Sequence, residues 1–142
     1  MSLPANKLSQ SILAFDYGTK RVGVAHKPAG SQQITVVTTL AQDDQFWPSL
    51  RALLRRFGPD QLVIGWPRNS DADITAQTAL AEQFAKEVAQ RTQLPVQLVD
   101  EFDSTQRAQK LLPKGLSVRR ARDMIDQYAA QVILQDYLEE NS

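Results

Sequence analysis

The sequence predicts an α/β domain built on a five-stranded mixed sheet, three antiparallel strands followed by two parallel ones, with helices packed on its faces. Three observations carry this. Short apolar or β-branched runs are bounded by Gly, Pro and polar turn residues, segments of helical periodicity separate the later runs, and 142 residues is the length of one domain. The chain therefore reads as a single domain over 1–142, with residues 1–10 (MSLPANKLSQ) expected to be a flexible extension.

Residues 11–16 (SILAFD) form an apolar run ended by Tyr17, Gly18, Thr19 and Lys20, and 21–26 (RVGVAH) resumes a β pattern, which makes a hairpin. A turn at Pro28, Ala29 and Gly30 leads to a third, β-branched strand at 33–40. Leu50, Leu53, Leu54 and Phe57 have helical spacing, and Gly58-Pro59 stops that helix before the buried-type strand 61–65 (QLVIG). A loop is expected at 66–73. Ala76, Leu80, Phe84 and Val88 then mark a helix over 74–91, with Asp73 as its N-cap. A fifth strand at 96–99, a short helix capped by Asp103 or Ser104 and reaching Leu112, a break at Pro113 and Gly115, and a final helix from Val118 to Glu139 complete the order.

Composition removes several function classes. With no cysteine and one histidine, thiolate zinc and iron–sulfur sites, Cys/His dyads and His-rich metal sites are excluded, so acid–base or metal chemistry falls to carboxylates. The apolar runs are strand-sized and no secretory signal is recognisable, which predicts a cytoplasmic protein that does not span a membrane. Sixteen basic and sixteen acidic residues cancel, against indiscriminate coating of nucleic acid. The distribution is uneven: Arg107, Lys110, Lys114, Arg119, Arg120 and Arg122 form a run without an acid, and the twenty residues that follow hold five acids and no base. Alone, such a run is ordinary solvated surface; beside a chemical site it is a phosphate track.

Three acids sit at element ends. Asp16 closes an apolar strand next to Gly18, whose freedom allows a tight turn, although a turn residue bonded to its own backbone would look the same. Asp100 and Glu101 end the fifth strand and face opposite sides, so one of them joins a shared crevice. Asp126 lies on the stripe of the last helix that carries Ala129, Ala130 and Ile133, where an unpartnered carboxylate is costly. Its partner is a residue of another element or a cation. Convergence of Asp16, Glu101 and Asp126 would suit a hard divalent ion, Mg2+ or Mn2+, and two such ions cleave phosphodiesters without histidine or cysteine.

In order and spacing, residues 12–25 (ILAFDYGTKRVGVA), 62–67 (LVIGWP), 98–108 (LVDEFDSTQRA) and 125–138 (IDQYAAQVILQDYL) resemble the YqgF/RuvX family of ribonuclease H-like proteins, the Holliday junction resolvase-like proteins or pre-16S rRNA nucleases of bacteria. The resemblance implies a ribonuclease H-like fold and a divalent-metal-dependent endonuclease that finishes the 5′ end of small-subunit ribosomal RNA, on free precursor or on ribosomal precursor particles. Cleavage of branched DNA at Holliday junctions is the alternative. Its acids fall on Asp16, Glu101 and Asp126, as metal ligands and catalytic groups. The chain departs from the family where an expected arginine reads Phe102 and where 66–72 (WPRNSDA) lacks the usual glycine. Lys20, Arg21, Arg68 and Arg107, with Arg119, Arg120 and Arg122, are the candidate phosphate contacts. Trp66 and Phe102 are either base-stacking groups or packing residues.

Two readings compete with a nuclease. A non-catalytic RNA-binding module of ribosome assembly would keep the fold and the basic patch while the altered motifs cost it turnover, and retention of Asp16, Glu101 and Asp126 argues against it. An actin-like ATPase fragment would share Asp16, Tyr17, Gly18 and Thr19 but needs a duplicated domain that 142 residues cannot hold. His26 is expected to be exposed and silent, Ser104 and Thr105 to cap a helix, and Asp123 to occupy the first turn of the last helix.

Overall fold

A computed structural model describes residues 5–68 and 74–140. The elements are α1 (Ala5–Ser9), β1 (Ile12–Tyr17), β2 (Arg21–Lys27), β3 (Thr35–Ala41), α2 (Phe46–Phe57), β4 (Gln61–Arg68), α3 (Ile74–Thr92), β5 (Val96–Phe102), α4 (Ser104–Gln109) and α5 (Val118–Glu140). The sheet order is β3-β2-β1-β4-β5. β1 pairs antiparallel with β2 and β2 with β3, whereas β1–β4 and β4–β5 are parallel, as the alternation of strands and helices predicts.

The two-residue period of the strands sorts the core onto two faces. Leu13, Phe15, Tyr17, Val22, Val24, Ile64 and Trp66 pack with Phe46 and Leu50 of α2 and with Phe84 and Val88 of α3. On the other face Ile12, Ala14 and Val63 meet Ile133, Leu134 and Leu138 of α5. All six residues of β1 are buried, so the central strand fixes both layers.

Two glycines let α5 lie close to the sheet. A Cβ on Gly23 would run into the backbone carbonyl of Asp126, and one on Gly65 would fall 2.8 Å from the Ile133 side chain. Gly23 and Gly65 flank Asp16 in the register, one on β2 and one on β4. The contact that seats α5 thus brings its Asp126 turn to the end of β1.

Several expectations need correction. From Ala5 on, the N-terminal segment is a short helix, and Lys7 Nζ donates to the Tyr137 carbonyl at 2.8 Å while lying 4.0 Å from that ring's centroid. Behind it the fully buried Lys27 Nζ donates to the carbonyls of Leu8, Gln10, Pro28 and Ser31, binding this segment to the β2–β3 connection. His26 is half-buried, with Nε2 2.9 Å from Ser11 Oγ and its ring 4.4 Å from that of Phe57. β4 continues through Trp66, which is 3% exposed and belongs to the core, so it offers no face to a base. The short helix α4 ends at Gln109 and tightens into i+3 bonds through Leu112. Asp103 has a left-handed backbone and no side-chain cap bond, and Ser104 Oγ is buried without a partner. Asp123 is the sixth residue of α5 rather than part of its first turn, and its carbonyl accepts from Thr39 Oγ1 at 2.6 Å. Asp73, expected as an N-cap, lies outside the described residues, as do the side chains of Arg68 and Phe102.

Candidate active site

Asp16 occupies the carboxyl end of β1 and shares the face of Ile12 and Ala14, the face that α5 covers. It is 4% exposed, and its Oδ1 is buried without a hydrogen-bond partner. Burial, and then the Asp126 charge, push its carboxyl well above the usual carboxylate range, with the Arg21 guanidinium pulling the other way. Asp126 comes from α5 through the Gly23 contact and accepts from Arg21 Nε at 2.9 Å. The partner that the last-helix stripe demanded is therefore a residue of another element. Arg21 enters from the start of β2, directly after the turn that Asp16 and Gly18 begin.

Glu101 lies on the same face, two residues beyond Val99, which packs on the α5 cluster. It is 6% exposed but turns to a second cluster. Arg107 Nη1 stands 4.0 Å from Glu101 Oε2 and grips Asp136 bidentately, Nη1 to Oδ2 at 2.6 Å and Nη2 to Oδ1 at 3.0 Å. Burial first, and then a hydrogen bond with Asp136, raise the Glu101 carboxyl to about 8, so Glu101 holds a proton at neutral pH while Asp136 stays ionised against Arg107.

The structure thus brings Asp16 and Asp126 together with Arg21, and sets Glu101 apart with Arg107 and Asp136. Among the described residues no three acidic side chains stand as one ligand group. The Asp16–Asp126 pair nevertheless suits a hard cation, because Asp16 Oδ1 is a buried oxygen lacking any donor and oxygen ligands are what such an ion takes. Arg107, expected on phosphate, is committed to Asp136, whereas Lys20, Arg119, Arg120 and Arg122 are exposed. Asp136 escaped the sequence reading. The signal for it was present: the sheet-facing stripe of Asp126, Ala129, Ala130 and Ile133 continues at its next step to residue 136.

Comparison with known proteins decides the family. Residues 10–140 match the family model described as RuvX: Holliday junction resolvase. The chain belongs to the RuvX family. This RuvX-family chain is 36% identical to a Methylobacillus flagellatus protein named "Putative pre-16S rRNA nuclease", over 98% of this chain and 97% of that one. It is 40% identical to a Moorella thermoacetica protein of the same name, over 90% and 94%. Among solved structures, T. thermophilus RuvC in complex with a Holliday junction substrate aligns with a TM-score of 0.51 at 12% identity, over 93% of this chain and 95% of that one, which shows the shared resolvase fold. Membership makes the chain a hydrolase of nucleic-acid phosphodiester bonds. No described helix is long and apolar enough to cross a membrane.

Proposed function

We propose that this RuvX-family chain is a divalent-metal-dependent endonuclease that cleaves structured RNA, maturing the 5′ end of pre-16S rRNA on the precursor or on ribosomal precursor particles. The observation that carries the metal dependence is the buried, donorless Oδ1 of Asp16, a carboxylate within reach of the Asp126 charge. The names of its relatives support the RNA reading, since proteins 36% and 40% identical over nearly their whole length are named for pre-16S rRNA.

Asp16 and Asp126 would hold Mg2+ or Mn2+, with Glu101 as a third ligand once it gives up its proton and its Asp136 partner. A bound ion supplies an activated water and stabilises charge on the leaving oxygen. The chain's own residues do the rest. Burial of Asp16 disfavours its ionised form until a cation arrives, and Arg21 holds Asp126 through its ion pair. Lys20 and the exposed Arg119, Arg120 and Arg122 carry no ion pair with the described residues and are free to bind phosphates sequence-independently.

The test is cleavage of a precursor transcript spanning the 5′ end of 16S rRNA, beside a four-way DNA junction, with Mg2+, with Mn2+ and with chelator. Metal-dependent cleavage of the transcript at a defined bond is expected. Exclusive cleavage of the junction would replace the RNA reading by junction resolution.

A further inference from the structure

The face of the sheet opposite α5 carries a charge pattern that the carboxylate site does not use. α2 holds Arg51, Arg55 and Arg56 and no acid. Arg51 and Arg55 are one helical turn apart, exposed, and without an ion pair to any described residue. With Arg91 of α3 they line a groove of about 250 Å³, together with Trp47, Leu50 and Leu54. Arg91 pairs with Glu87 at 3.2 Å and lies 4.2 Å from the centroid of the half-buried Trp47 ring.

Trp47 also borders a second cleft, of about 230 Å³, whose lining includes Tyr17, Gln42, Phe84 and Glu87, the acid that Arg91 pairs with. Tyr17 follows Asp16 directly, and Gln42 Nε2 donates to the Gly18 carbonyl at 3.0 Å, so this cleft opens at the turn that ends β1. Trp47 lines both clefts, so it stands between the cleft at the Asp16 turn and the groove with its three guanidinium groups. In the groove, three arginines beside Leu50, Leu54 and the Trp47 ring match a strand that offers phosphates and unpaired bases together. A duplex would bury its bases from the Trp47 stack.

We propose that the α2–α3 groove holds the single-stranded segment of the nucleic acid that runs on from the carboxylate site, with Arg51, Arg55 and Arg91 on its phosphates and a base added to the Arg91–Trp47 stack. This rests on the nuclease reading and extends it, because the groove and the carboxylates lie on opposite faces of the sheet.

The test compares wild type, Arg51→Gln/Arg55→Gln and Arg119→Gln/Arg120→Gln/Arg122→Gln, without divalent metal so that RNA stays intact. Binding of a 20-nucleotide oligouridylate and of a 20-base-pair RNA duplex is followed over a salt series, together with tryptophan emission, using Trp47→Phe as the control. The groove variant is expected to flatten the single-strand salt slope by about 1.4, at about 0.7 per phosphate no longer neutralised, and to leave the duplex slope unchanged. Oligouridylate should quench emission in wild type and not in Trp47→Phe. An unchanged single-strand slope in the groove variant, with a flattened one in the α5 variant, overturns the groove and leaves the nuclease reading standing. Equal quenching by polyglutamate would make the groove a docking surface for acidic protein and overturn the proposal. Wild type that binds neither RNA removes both readings.

Discussion

Arg21 and Asp126, 105 residues apart in the chain, meet at 2.9 Å beside a buried carboxylate that neither of them hydrogen-bonds. The Arg21 guanidinium moderates the repulsion between Asp16 and Asp126 and at the same time opposes entry of a cation. Arg21→Gln should therefore tighten Mn2+ binding a few-fold, a change on the order of 1 kcal/mol for a partly exposed charge. Calorimetric titration of the two proteins checks this, and weaker binding in the variant would show that Arg21 organises the ligands more than it repels the metal.

Metal binding should report on Asp126 through stability. With Mg2+ or Mn2+ at a hundred times its Kd, wild type should gain about 5–10 °C in Tm by mass action. Asp126→Asn should lose that gain while keeping a folded apo form, since the amide conserves shape. Equal shifts in both proteins would remove Asp126 from the ligand set.

Gly23 is required by the approach of α5. Gly23→Ala would drive a methyl into the Asp126 carbonyl, a backbone atom that cannot swing aside, and should cost about 3 kcal/mol. Gly65→Ala meets the Ile133 side chain, which can change rotamer, and should cost less. Urea melts of the two variants give the ranking directly.

The sheet was legible because its strands carry their own periodicity: the β-branched third strand, the hairpin around Gly18 and the continuous run before Gly65 each appear as expected. Asp16 and Asp126 were legible for a related reason, as carboxylates at positions where the pattern demands burial. What pairs with them was not. Arg21 reads as one more surface cation, and its link to Asp126 depends on how closely α5 approaches β2, which Gly23 sets. Arg107 belonged by sequence to a uniform basic run, and only the packing of α4 on α5 turns it to Asp136. Trp66 reads as a loop residue because Pro67 suggests an end to the strand, yet the parallel pairing of β4 with β5 continues to residue 68. Lys27 and Lys7 bury cations that no local pattern marks, each satisfied by carbonyls distant in sequence or hidden in turns.

The Glu101 cluster predicts a pH dependence. Its carboxyl ionises near 4.5 unfolded and at about 8 folded, so in that interval the folded chain binds the extra proton. Its contribution to stability is full below about 4.5 and is lost as pH rises through about 8. Glu101→Gln, whose amide donates to Asp136 at every pH, should flatten the wild-type decline over this window. A decline of equal slope in the variant, measured by urea unfolding at several pH values, would place the responsible group elsewhere.

The exposed arginines at the start of α5 should contribute affinity without sequence preference. Arg119→Gln/Arg120→Gln/Arg122→Gln should weaken binding of two unrelated RNAs alike and reduce the salt slope by about 0.7 for each phosphate no longer neutralised. The bond that is cut should not change. A slope unaltered in this triple variant would move the phosphate track towards Lys20 and Arg21.

The central claim is that Asp16 serves chemistry rather than folding, and Asp16→Asn tests it most directly. The amide keeps the shape and removes a buried charge, so the variant should be folded and at least as stable as wild type at neutral pH. Cleavage of the precursor transcript under saturating Mg2+ should fall at least about a hundredfold. A folded Asp16→Asn that cuts within about twofold of the wild-type rate would contradict the account, because no metal-dependent hydrolysis centred on this carboxylate survives loss of its charge.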